Sequence, residues 1–96
     1  MAAIDIRRTH SLGLDTAKQK AEELAKDLSE KLELDWRWEG DAIRFQGDRG
    51  KAKGVKGSVN VSSSDVRVEI DLPFLMKAMK GVISGKVEEK LDATLG

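Results

Sequence analysis

Apolar positions along this chain switch between a period of two and steps of three and four, and the switches mark out its elements. Ile4 and Ile6 alternate with Asp5 and Arg7, as in a strand with one face buried. His10-Ser11-Leu12-Gly13 breaks that pattern, and Leu14, Ala17, Ala21, Leu24, Leu28 and Leu32 then share one face of a helix expected over Leu14 to Glu33. Leu34, Trp36 and Trp38 return to alternation, Gly40-Asp41 interrupts, and Ile43 and Phe45 resume it. A two-residue Gly-Asp loop fits a type I′ or II′ hairpin, which sets Trp38 against Ile43 and Trp36 against Phe45 on one side of the sheet. A second hairpin follows. Val59 and Val61 precede the turn Ser62-Ser63-Ser64-Asp65, and Val66, Val68, Ile70 and Leu72 come after it, so Val61 faces Val66 and Val59 faces Val68. Pro73 ends the last strand and suits the first turn of a helix over Phe74 to about Leu95, where Met76, Met79, Ile83, Val87, Leu91 and Leu95 keep helical spacing. Gly81 and Gly85 inside it predict close packing or a bend.

Every strand thus has one apolar and one polar face, as in an antiparallel sheet covered on one side and wet on the other. The expected fold is α+β: a five-stranded, antiparallel-rich sheet with two helices on one face, in the order β-α-β-β-β-β-α. Placing the last strand beside the first gives the strand order 2-3-4-5-1. By element order alone this resembles a cut-down helix-grip arrangement.

The totals narrow what such a domain does. With 96 residues the chain is expected to form a single domain, residues 1–96. It carries 17 basic and 17 acidic residues, so attraction to nucleic acid or a membrane would need a local patch. Cysteine is absent, which excludes disulfides and thiolate metal sites. No apolar run suits a signal peptide or a transmembrane segment, so a cytoplasmic location is the default expectation.

Residues with the spacing of a reaction centre do not emerge. His10 is the one histidine, and it has no nucleophile at a suitable spacing. Asp5, Glu39, Asp41, Glu69 and Asp71 fall on the polar side of strands or turns, opposite Arg37, Arg44 and Arg67, where they read as cross-strand ion pairs. No catalytic residue, cofactor or metal is therefore expected. Three features remain as candidate contacts. Arg49, Lys51, Lys53 and Lys56 lie in a glycine-rich hairpin tip, Gly47 to Gly57, which is either a solvated loop or an anion contact. The absence of an aromatic residue there counts against nucleic acid. Phe74, Leu75, Met76, Met79 and Val82 make an apolar stripe wider than a core needs, flanked by Lys77, Lys80 and Lys86. Such a stripe is either wrapped by a curved sheet or offered to a surface. Trp36, Trp38 and Phe45 read first as core; in the alternative they line an apolar pocket for an acyl chain.

Four segments carry a further resemblance: Ile4 to Leu14 (IDIRRTHSLGL), Trp36 to Asp41 (WRWEGD), Gly57 to Val61 (GSVNV) and Leu72 to Met76 (LPFLM). Together they resemble the polyhydroxyalkanoic acid system proteins, the granule-region family of proteobacteria. The resemblance implies a gene beside polyester-storage genes and no established activity or catalytic residue. The expected function is a non-enzymatic accessory protein of the polyhydroxyalkanoate storage-granule system, acting by contact with a granule surface or granule proteins. The alternative is a small hydrophobic-ligand binding domain with a cavity between sheet and helices. Homo-oligomerisation is left open by the sequence.

Overall fold

The computed structural model describes residues 3–47 and 53–95. Strand β1 (Ile4–Thr9) leads into helix α1 (Leu14–Leu32), then into β2 (Asp35–Glu39), β3 (Ala42–Gln46), β4 (Lys56–Val61) and β5 (Asp65–Asp71). A 3-10 segment (Phe74–Met79) and helix α2 (Lys80–Leu95) close the chain. The five strands form one sheet in the order β1-β5-β4-β3-β2, every pairing antiparallel, as the alternation predicts. The hairpin registers also hold: Trp36 opposes Phe45, Trp38 opposes Ile43, Val59 opposes Val68 and Val61 opposes Val66. Gly40 turns the first hairpin at a φ of 62°, and Asp41 keeps a negative φ, the pattern of a type II′ turn.

One face of the sheet carries the core. Ile4, Ile6, Ile43, Phe45, Val59, Val66, Val68 and Ile70 are buried there beneath Ala17, Ala21, Leu24 and Leu28 of α1 and Ile83, Val87 and Leu91 of α2. Alanines at the contact positions of α1 let it lie close over β2, β3 and β4, while α2 lies over β1. Helix α1 ends at Glu33, a non-glycine residue in the left-handed region (φ 55°), whose N–H donates to the Ser29 carbonyl. Arg8 on β1 reaches both Glu88 (3.7 Å) and Asp92 (3.3 Å), fastening the second half of α2 to the sheet.

Three expectations change. The residues after Pro73 begin as a 3-10 turn, so the continuous helix from Phe74 resolves into two segments that meet at Met79 and Lys80. Gly81 and Gly85 face open space, so neither serves close packing. The glycine-rich hairpin tip is also shorter than its composition suggests: Gly47 N–H donates to the Val55 carbonyl (2.8 Å), Gly54 N–H donates to Gly47 (2.9 Å), and Val55 is fully buried.

Candidate functional site

Among the described residues, three of the four exposed large apolar side chains lie on the 3-10 segment and the start of α2, the fourth being Leu12. Phe74 is 83% exposed, Val82 56% and Met79 41%. Two of these, Met79 and Val82, wall a groove between the helices whose other lining residues are Ile83 and Leu28, with Lys31 and Lys86 at its rim. The groove has a volume of about 240 Å³. Its floor exists because helical spacing turns Ile83 inward onto the core while Val82, one residue earlier, points out beside it.

Of the sequence-predicted contact residues, Phe74, Met79 and Val82 are therefore exposed, and Met79 and Val82 share the groove. Met76 is not: it is buried in the core, because the 3-10 turn directs it under the segment. The side chain of Leu75 lies outside the described residues. Leu28 and Lys31 complete the groove and were not foreseen. Leu28 reads as a core position of α1, and only the packing of two helices brings it and Lys31 to the groove.

Charge along this stretch of the sequence is lopsided. Between Asp71 and Glu88 there is no acidic residue, while Lys77, Lys80 and Lys86 are all exposed and make no ion pair with any described residue. The four lysines of α1 are matched: Lys18 pairs with Asp41, Lys20 with Glu23, Lys26 with Glu22 and Lys31 with Asp27.

The other candidates separate on inspection. Trp38 donates its Nε1–H to Glu22 of α1 (3.2 Å) and lies under Lys18, whose Nζ is 5.7 Å from the ring centre. Helix and sheet are in direct contact there. Trp36 and Phe45 instead border a shallow depression of about 200 Å³ with Asp35, Arg37, Arg44 and Gln46, whose lining is mainly polar. Phe45 itself is 3% exposed. Of the basic residues near the hairpin tip, Lys56 is an exposed strand residue opposite Gln46 and Asp71, and Lys53 is exposed in the turn. Arg49 and Lys51 lie outside the described residues. Both ring nitrogens of His10 are engaged by backbone: Nε2 lies 3.0 Å from the Ser62 carbonyl and Nδ1 accepts from Leu12 N–H at 3.2 Å. His10 thus ties two loops together, and among the described residues no group of three potential ligands is placed to hold a metal ion.

The outer face of the sheet is a lattice of ion pairs. Arg67 reaches Asp5 through two parallel hydrogen bonds, 3.0 Å and 2.7 Å, and Arg7 meets Asp65 at 2.6 Å. The hydrogen bond from Arg67 holds the Asp5 carboxyl below its usual range. The Ser62 hydroxyl, followed by Arg7, does the same for Asp65. A carboxyl whose pKa is lowered by folding adds stability above its unfolded pKa, about 4, and loses that contribution as the pH falls through the lower folded value. Being exposed, these pairs contribute little. Asp5→Asn is therefore expected to lower the urea midpoint slightly at neutral pH, and the gap to wild type is expected to close on acidification below about pH 4. A gap that widens there would contradict the pairing.

No helix among the described residues is long and apolar enough to cross a membrane. Neither the curated proteins nor the solved structures include a match to this chain. A family model described as "Putative polyhydroxyalkanoic acid system protein" matches residues 4–95, from the first residue of β1 to the last of α2, and the chain belongs to that family.

Proposed function

We propose that this protein is a non-enzymatic accessory component of the polyhydroxyalkanoate storage system, and that it works by laying the exposed apolar end of its C-terminal helix on the granule surface. The observation that carries this reading is the outward placement of Phe74, Met79 and Val82, the last two walling an apolar groove. Clustered exposed apolar side chains mark contact sites. Family membership supplies the context of stored polyester. The ordered loop role of His10 and the ion-paired carboxylates of the outer sheet face both favour contact over catalysis.

Co-sedimentation with purified polyester granules tests the proposal. Wild-type protein is expected to pellet with granules, and Phe74→Asp combined with Met79→Asp to reduce the bound fraction at least about tenfold, from the loss of two inserted apolar side chains. Both positions are exposed, so the variant is expected to keep its circular dichroism spectrum and melting temperature. Unchanged co-sedimentation of a folded double variant would overturn the proposal.

A further inference from the structure

We infer that the layer met by this face is a lipid layer with anionic headgroups; the inference rests on the contact reading above and specifies the partner's chemistry. Three observations combine. Phe74, Met79 and Val82 are exposed where the helix begins. Lys77, Lys80 and Lys86 are interleaved with them, exposed and without ion pairs to described residues. No carboxylate occurs between Asp71 and Glu88, although the whole chain balances 17 positive against 17 negative charges.

A helix that rests in the headgroup region of a lipid layer needs this combination: apolar side chains entering the acyl boundary, and lysines whose stems cover apolar surface while their ammonium groups reach outward to phosphate. A purely apolar surface would not require unmatched lysines. A second copy docking through the same face would bring each lysine cluster against its twin, and like charges in an isologous contact repel. Later in α2, Glu88 and Asp92 pair with Arg8 of β1, while Glu89 lies with Asp27 and Lys31 beside Lys86.

The experiment compares three surfaces: vesicles of phosphatidylcholine alone, vesicles of phosphatidylcholine with phosphatidylglycerol, and bare polyester particles. Wild-type protein is expected to bind the phosphatidylglycerol vesicles, to bind phosphatidylcholine alone much less, and to be released by salt. The triple variant Lys77→Gln, Lys80→Gln, Lys86→Gln is expected to lose about fivefold in partitioning per lysine, on the order of a hundredfold in all. Sedimentation of the free protein is expected to give one monomeric species. Binding to bare polyester but not to phosphatidylglycerol vesicles would overturn this inference and leave the contact proposal standing. Binding to neither would overturn both. Equal binding to the two kinds of vesicle, or a dimer dispersed by Phe74→Asp, would overturn the anionic-lipid assignment.

Discussion

Phe45→Ala is expected to cost about 3–5 kcal/mol, the range for truncating a buried aromatic side chain. Phe45 is 3% exposed and stands in a cross-strand row on the core face, Trp36, Phe45, Gly57, Ile70 and Ile4, one residue from each strand. Its neighbour on β4 is a glycine, so no side chain at that position can swing into the space the ring would leave. A small domain has only about 5–15 kcal/mol in total. The loss should therefore lower the melting temperature by at least about 12 °C in a domain of this size. Urea titration gives the free energy directly, and a loss below about 1 kcal/mol would mean that the ring is not buried. Sequence alone would place this sensitivity at Trp36, its hairpin partner. The register agrees, but Trp36 lies on edge strand β2 and is only half-buried, so Trp36→Ala is expected to cost less than Phe45→Ala.

The second large effect is expected at Gly57. A Cβ added there would sit 2.8 Å from the Glu69 carbonyl oxygen and 3.3 Å from the Ile70 Cα, both backbone atoms of β5. Backbone in the middle of a paired sheet cannot rotate aside as a side chain can, so β4 must move away from β5 to accept any side chain. Gly57→Val is expected to cost about 3 kcal/mol, the upper part of the range for overpacking, and Gly57→Ala somewhat less. The obstruction comes from β5, not from Phe45. Combining Gly57→Val with Phe45→Ala should therefore give no rescue, and a double-mutant cycle checks this. A double variant as stable as Phe45→Ala alone would show that the valine had filled the vacated ring space.

Much of this fold is legible from the pattern of residues. The hairpin registers follow from alternation plus turn length, because a slip of one position would turn Trp36, Phe45, Val59 and Val68 to the wet face together. Helix α1 follows from six apolar residues at steps of three and four, ending within one residue of the expected Glu33. What the pattern could not resolve was local geometry at constant composition. Phe74 to Met79 has the same apolar spacing whether wound as 3-10 or α, yet the winding decides that Met76 is buried and Phe74 exposed. Val55 lay hidden among glycines and lysines, and only its backbone pairing with Gly47 draws it into the core. The proposed contact face was visible as a surplus of apolar residues; its groove was not, since Leu28 and Lys31 reach it from a helix about fifty positions earlier.

The placement of β1 has a consequence for how the chain is made. Ile4 pairs with Ile70 and Thr9 with Asp65, so the first strand synthesised has no sheet partner until the last strand has left the ribosome. Strands β2 to β5 form successive hairpins and can zip as they emerge, each needing only the segment just before it. For most of translation Ile4 and Ile6 are then apolar residues without a home, separated from each other and flanked by Asp5, Arg7 and Arg8. Those charges, which in the finished sheet bind Arg67, Asp65, Glu88 and Asp92, keep the waiting strand soluble and guard it against pairing with a neighbouring nascent chain.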